Sequence, residues 1–394
     1  MTYYIGIDNS SLDHKVHIVD NDGNFHSQFV IKNNLNGFNN LHEVIRNFND
    51  FMIGFETPHG PLAEYLKEKE LTVHSLNPLK IKRFKETATI SGNKNDNIDA
   101  AAIAEYMRKN SGQCRSLIYN SAEVEKLKML CAIHKRMTEE NARYKNKLHF
   151  SVRQYFCLQE SLFTDFGCTV QLKMIMKYPT FRDLKKADEN ELESFLKSNR
   201  YCLPKHIKKI IDQIKSYDQI ISEDTEYVCS LEVKMLCAIL LEIRQKLNEV
   251  EKEMKGILDR HQLGKVFRSI PGAGTILSSN LLALFGDKPE RFDNPNQVQC
   301  LFGTAPRNYQ SGNYHKVLMR KACNKNARCV LYLFAFASLN YNPWARAYYD
   351  EQRAKGKTHS IALRALSNKW INIIYRLWKD EIIYQEDKKI TAAA

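Results

Sequence analysis

Between Tyr3 and Leu76 the hydrophobic pattern changes period in a fixed order, and that order limits the folds open to the chain. Tyr3 to Ile7 is apolar and rich in β-formers, and Lys15 to Val19 alternates. The turn Asn21-Asp22-Gly23-Asn24 leads into a third run, Phe25 to Ile31, which is a hairpin signal. A helix follows over about 35–48, with Phe38, Leu41, Val44, Ile45 and Phe48 on one face. Then come a strand over 51–55, a helix over 61–69, a strand over 72–76 and a helix over 95–109. Three antiparallel strands followed by alternating helices and strands predict an α/β domain over residues 1–120.

Four acids stand where this order can gather them. Asp8 closes the first strand, in Ile5-Gly6-Ile7-Asp8, and Glu56 follows the strand at 51–55. Asp96 and Asp99 lie three apart on the helix, hence on one face. Ends of adjacent strands can bring Asp8 and Glu56 together, and a helix packed on the sheet can add the other pair. A hard cation such as Mg²⁺ takes carboxylate oxygens and keeps waters for chemistry. Two ions roughly 4 Å apart can activate an attacking oxygen and stabilise a leaving one in phosphoryl transfer. Four close acids repel one another unless a cation holds them. A single acid at a strand end is by default a solvated turn residue, and Asp13, Asp20 and Asp22 are read so. Elements in this order are those of the RNase H/RuvC-like fold.

Beyond residue 120 the pattern turns helical. One long helix is predicted over 121–156, with Ser121 as its cap, and a less patterned stretch follows to Pro204. Val233, Leu236, Leu240, Ile243, Leu247, Val250, Met254 and Ile257 are spaced alternately three and four apart, a coiled-coil seam within a helical region at 121–260. That seam fits an intramolecular helical hairpin and a dimerising arm equally well. Residues 261–394 read as a third, mainly α domain, whose interleaved aromatics, among them Trp344, Trp370 and Trp378, are mostly core. Phe267 to Gly286 suggests a helix-hairpin-helix, in which Gly272 and Gly274 let backbone approach a phosphate ahead of a helix start. Ser311 falls in a polar, glycine-flanked loop, Gln310-Ser311-Gly312. A hydroxyl among cations can attack a phosphodiester when activated, although spacing alone favours ordinary turn chemistry for it.

The net charge is +13, which points to a polyanionic partner. From Asn294 to Tyr349 there is no Asp or Glu, while Arg307, Lys316, Arg320, Lys321, Lys325, Arg328 and Arg346 all fall there. A solvated face usually mixes signs, so this run reads as a nucleic-acid surface. The ten cysteines form no CxxC pair and no zinc-ligand cluster, and free thiols in a reducing cytosol are expected. The N-terminus MTYYIGIDNS lacks a basic, apolar leader, and no run of about 18 apolar residues exists to span a membrane. A cytoplasmic, nucleoid-associated protein is expected.

The chain resembles the insertion-sequence transposases that carry an N-terminal RuvC-like DEDD domain and a C-terminal serine domain, relatives of the Piv-type invertases and the bridge-RNA-guided recombinases. The resemblance rests on Gly6-Ile7-Asp8, on Glu56-Thr57-Pro58-His59-Gly60, and on Lys94-Asn95-Asp96-Asn97-Ile98-Asp99-Ala100. In the second half it rests on Ile270-Pro271-Gly272-Ala273-Gly274, Phe302-Gly303, Pro306-Arg307, Gln310-Ser311-Gly312, and Asn324 with Arg328. It implies that Asp8, Glu56, Asp96 and Asp99 bind Mg²⁺, as two ions per site with Mn²⁺ an alternative. It implies that Ser311 forms a transient phosphoserine link to DNA, in a site shared between subunits of a dimer or tetramer. Donor and target double-stranded DNA are the implied partners, read through a noncoding bridge RNA, with Gly272, Gly274, Arg307, Lys316, Arg320, Lys321, Lys325 and Arg328 as nucleic-acid contacts. Relatives often have glycine where Cys323 stands, which puts the conformation of that loop in doubt. Two other readings compete: a junction-resolving RuvC-like nuclease using water, and a nucleic-acid-binding protein without catalysis.

Overall fold

The computed structural model describes residues 1–386 except 57, 59, 89–95 and 313, and the side chains of 88 and 96–98 are also outside the described set. The chain divides into two compact units, Met1–Tyr119 and Asn120–Ala394.

In the first unit, β1 (Tyr3–Asn9), β2 (Asp13–Val19) and β3 (Phe25–Lys32) form an antiparallel meander. Asp20 lies in the turn between β2 and β3 but is buried rather than solvated, because its carboxylate accepts the backbone N–H groups of Asp22 and Asn24, both at 2.9 Å, and Asp13 is not a turn residue but begins β2. Helix α1 (Leu35–Ile45) starts at Asn34, whose side chain accepts from Gly37 N. Next come β4 (Phe51–Phe55), α2 (Pro61–Glu68), β5 (Val73–Ser75), α3 (Pro78–Ala88) and α4 (Asp96–Lys109). The strand order is β3-β2-β1-β4-β5, with β1 parallel to β4 and β4 parallel to β5. Alternate residues of each strand enter opposite cores. Ile5, Ile7, Val16 and Ile18 pack toward α1 and α2, while Tyr4 and Val19 pack with Ile81, Ile103 and Met107 of α3 and α4.

The second unit opens with α5 (Ala122–Tyr155), capped by Ser121 through Val124 N. Four short helices occupy the weakly patterned stretch: α6 (Gln159–Leu162), α7 (Thr169–Lys177), α8 (Phe181–Lys186) and α9 (Glu189–Ser198). They are followed by α10 (Pro204–Ser216) and α11 (Glu223–Arg260). The three–four apolar repeat of α11 packs against α5 of the same chain. Lys126 reaches Glu253 at 3.0 Å, His134 reaches Glu251 at 3.0 Å and Ser151 reaches Glu232 at 3.0 Å, so α5 and α11 run antiparallel. The seam divides between two cores. Val233, Leu236 and Leu240 pack with α5, α7 and α10, while Met254 and Ile257 pack with the C-terminal helices. Ile243, Leu247 and Val250, between them, are half-buried.

The remaining elements are α12 (Gln262–Arg268), α13 (Thr275–Phe285), α14 (Pro295–Leu301), β6 (Pro306–Ser311), β7 (Tyr314–Met319), α15 (Lys325–Ser338), α16 (Pro343–Ala354) and α17 (His359–Lys379). Trp370 and Trp378 are wholly buried in one core with Phe267, Phe285 and Met254. The boundary expected near residue 260 therefore falls inside one compact unit, because the end of α11 packs with the helices that follow it. All ten cysteines are free. Among the described residues no helix is long and apolar enough to cross a membrane.

Candidate active site

The register of β1 on β4 ends at Ile7 opposite Phe55, so Asp8 and Glu56 leave neighbouring parallel strands side by side. On β1, Gly6 and Asp8 share the face covered by α4, because side chains alternate along a strand. A Cβ on Gly6 would stand 2.2 Å from the Ala100 carbonyl oxygen and 2.5 Å from Ala104 N. The missing side chain thus lets the α4 backbone press against β1 and brings Asp99 to the strand ends.

Lys85 of α3 completes the cluster. Its Nζ donates to Asp99 Oδ1 at 2.7 Å and lies 3.9 Å from Glu56 Oε1. Burial pushes the Glu56 carboxyl above the usual carboxylate range; Lys85 opposes that, while Asp8 and Asp99 add to it. Three acids therefore act electrostatically on one spot, with an ammonium standing between two of them. Among the described residues no group of three such side chains is close enough to hold an ion as placed. The donor chemistry nevertheless fits a hard divalent cation: oxygen ligands, like-charge repulsion, and an ammonium already neutralising it. Asp96 begins α4, but its side chain, with Thr57, His59, Lys94 and Asn95 of the same motifs, lies outside the described residues. Lys85 was not singled out from the sequence, although Asn77-Pro78 ahead of Ile81 and Phe84 is a helix-start signal. The Asn77 side chain caps α3 by accepting from Leu79 N at 2.9 Å.

In the second unit, Ser311 is not in a loop, as its flanking glycine suggested, but is the last residue of β6. Cross-strand pairing explains the difference. Tyr309 pairs with Lys316 and Ser311 with Tyr314, and Gly312 turns the chain just after Ser311 at φ 55°. Paired residues share a face, so the Ser311 hydroxyl lies on the same side as Tyr314, Tyr309, Lys316 and Arg307. The hairpin is exposed on both faces apart from partly covered Leu318. The two serines that follow the Gly272–Gly274 turn are closed off. Ser278 is wholly buried and donates to the Ala273 carbonyl at 2.7 Å, and Ser279 is wholly buried beside it.

The remaining predicted contacts are distributed along this region. Arg320, Lys321 and Lys325 are at the surface or partly so, and Arg328 is tied to the Arg320 carbonyl by a 3.0 Å hydrogen bond. Asn324 caps α15 by accepting from Ala327 N. Cys323 packs on Gly303 (φ 72°), where an added Cβ would stand 2.3 Å from its Sγ. Gly272, at φ 83°, lies in the turn between α12 and α13. The space above Gly272 is filled by α15: a Cβ there would meet Ser338 N at 3.0 Å. Gly274 faces open space at the start of α13, where helix N–H groups lack a side-chain cap.

A mixed five-stranded sheet of this order, with acids at the ends of its central strand β1 and of the neighbouring β4, is consistent with an RNase H-like fold. A DEDD transposase model of the IS110 type matches residues 5–157, and the model described as transposase IS116/IS110/IS902 family matches residues 264–350. The chain belongs to the IS110/IS116 family of insertion-sequence transposases. It is 24% identical to the mini-circle protein of IS117 from Streptomyces coelicolor, over 98% of this chain and 96% of that one. It is 26% identical to the 43.6 kDa protein of insertion element IS110 from the same organism, over 74% of this chain and 72% of the relative. The transposase for insertion sequence element IS1111A of Coxiella burnetii is 23% identical over 75% of this chain and 70% of its own. Membership implies enzymatic processing of DNA, and the DEDD domain indicates dependence on a divalent metal.

Proposed function

We propose that the protein cuts and rejoins the DNA of an insertion sequence through a phosphoserine intermediate on Ser311, with Mg²⁺ held by Asp8, Glu56, Asp96 and Asp99. The observation that supports the reading is Lys85 standing between Asp99 and Glu56, with the Asp8 charge acting on Glu56, in a chain that also exposes Ser311 on one face with Tyr309, Lys316 and Arg307. Bound at the acids, Mg²⁺ or Mn²⁺ would neutralise phosphate charge and make the attacking oxygen a better nucleophile.

The steps assigned to the chain's own groups balance. Ser311 Oγ loses its proton and bonds to phosphorus as one ester P–O bond breaks. The freed strand oxygen takes up a proton. A hydroxyl of the new partner strand then displaces Ser311, which regains its proton, so the number of phosphodiester bonds is conserved. Arg307 and Lys316 hold the strand's phosphates on the same face as the hydroxyl. Double-stranded donor and target DNA are the substrates, a noncoding bridge RNA specifies them, and a dimer or tetramer acts.

The test is trapping of a covalent protein–DNA adduct on DNA spanning the element's end. The expected result is an adduct lost in Ser311→Ala, and cleavage lost in Asp8→Asn and in EDTA. Cleavage that persists without any adduct in Ser311→Ala would instead identify a water-using nuclease. Co-purified RNA mapping to the flank of the element is the expected sign of guidance, and its absence from active protein would remove that part.

A further inference from the structure

Helix α15 has two faces of different character. Ala327, Val330, Leu331 and Phe334 face the core and are buried. The opposite face turns Lys325, Arg328, Tyr332, Leu333 and Phe336 toward a groove of ≈ 480 Å³, closed on its far side by His359 of α17. Lys325, Arg328, Tyr332 and Phe336 are spaced three and four apart, with Leu333 beside Tyr332, so they form one continuous stripe. Leu333 is 56% exposed and Phe336 53%, although a complete core lies directly beneath them.

The aromatic end of the groove is held in place. Phe336 meets His359 edge to face at 6.0 Å, and His359 Nδ1 is hydrogen-bonded to the Tyr349 hydroxyl at 2.6 Å. At the other end Arg328 is fixed by the Arg320 carbonyl at 3.0 Å. No acid lines the groove among the described residues. A second copy docked here about a two-fold axis would set these same cations against each other. A nucleic-acid strand supplies what the groove lacks, a flat π face for the aromatic end and phosphates for the cations.

We propose that this groove binds an unstacked nucleobase of a single-stranded segment, with Lys325 and Arg328 on the adjoining phosphates. The proposal rests on the strand-exchange reading, in which unpaired strands arise, but it concerns binding and is tested without cleavage. Stacking is sequence-tolerant, so the groove recognises strandedness rather than sequence.

The test uses the full-length protein with short single-stranded oligonucleotides carrying 5-iodouracil, one deoxy and one ribo, and a duplex of the same sequence. Irradiation should place the adduct on Tyr332, Phe336 or His359, and the oligonucleotide that crosslinks better identifies the natural strand as DNA or RNA. Leu333→Ala/Phe336→Ala removes exposed side chains only and should fold. It should bind single strands about tenfold more weakly and duplex unchanged. Adducts confined to other elements, or unchanged single-strand affinity in the double variant, would overturn the proposal. A smaller oligomer in the variant with single-strand affinity intact would assign the groove to subunit contact instead. Loss of DNA cleavage in otherwise binding-competent protein bears only on the strand-exchange reading.

Discussion

Replacing Lys85 by Met removes the ammonium that Asp99 and Glu56 share while keeping most of the aliphatic stem. The three side chains are 21–30% exposed, so the site lies between water and protein interior. A unit charge pair at about 4 Å is worth ~1 kcal/mol in water and ~4 kcal/mol at the effective dielectric of a protein surface. Desolvation and side-chain ordering offset much of that gain, leaving about 1–2 kcal/mol of net stabilisation in metal-free protein. For a unit of this size that corresponds to roughly 4–8 °C in Tm. The same ammonium must give way when a divalent cation takes the acids, so its removal should tighten Mg²⁺ binding by about tenfold. Thermal melting in EDTA, repeated across a Mg²⁺ titration, reads both effects. Lys85→Met should melt lower than wild type without metal and close the gap as Mg²⁺ rises. Equal melting in EDTA together with an equal Mg²⁺ midpoint would refute the idea that Lys85 is the site's resident counter-charge.

Three further outcomes follow from the geometry. Gly6→Ala places a Cβ against the backbone of α4 and should cost about 2–3 kcal/mol by denaturant titration, with cleavage falling because Asp99 moves with the helix. The raised pKa of Glu56 favours the metal-free fold below the carboxyl's unfolded value, and that contribution is lost as pH rises through the raised folded value. In EDTA, melting temperatures of wild type and Glu56→Gln should therefore diverge in the variant's favour as pH increases; parallel curves would contradict the assignment. Gly303→Ala should destabilise by about 1–2 kcal/mol through its left-handed backbone alone, more with Cys323 present, and Cys323→Gly should recover the excess in a double-mutant cycle.

Much of the first unit was legible because strand period, turn chemistry and acid position agree. Phe51–Phe55 was bounded as found, and the other strands shifted by one or two residues at their ends. Asp8 and Glu56 could be paired in advance because both end apolar runs, and parallel strands align their ends. What pattern did not reveal was α3. Its apolar positions are few and its surface is strongly basic, so it resembles a loop, yet it carries Lys85 into the acid cluster. The Ser311 hairpin was hidden for a related reason. Polar residues with glycine at a turn suggest a loop when read locally, whereas the strands arise from pairing between Pro306–Ser311 and Tyr314–Met319.

The seam of α11 illustrates a different limit. A three–four repeat states that one face is apolar, but not which chain supplies the partner. The antiparallel bonds to α5 supply one answer, and the burial along the seam adds to it. Val233, Leu236, Leu240, Met254 and Ile257 are enclosed because additional helices cover them, whereas Ile243 and Leu247 belong to neither core and remain half-buried, as does Val250 at the edge of the C-terminal core. Two helices alone cannot enclose a seam on every side. The long helices therefore serve as a span between two separately packed cores, each stabilised by its own short helices. The acid-free run from Asn294 to Tyr349 gains a structural meaning beside its charge. It supplies an exposed hairpin and one face of α15, where apolar side chains stay in solvent next to fixed cations. A surface composed that way gains nothing for the isolated fold, and the nucleic-acid partner proposed above is what would account for it.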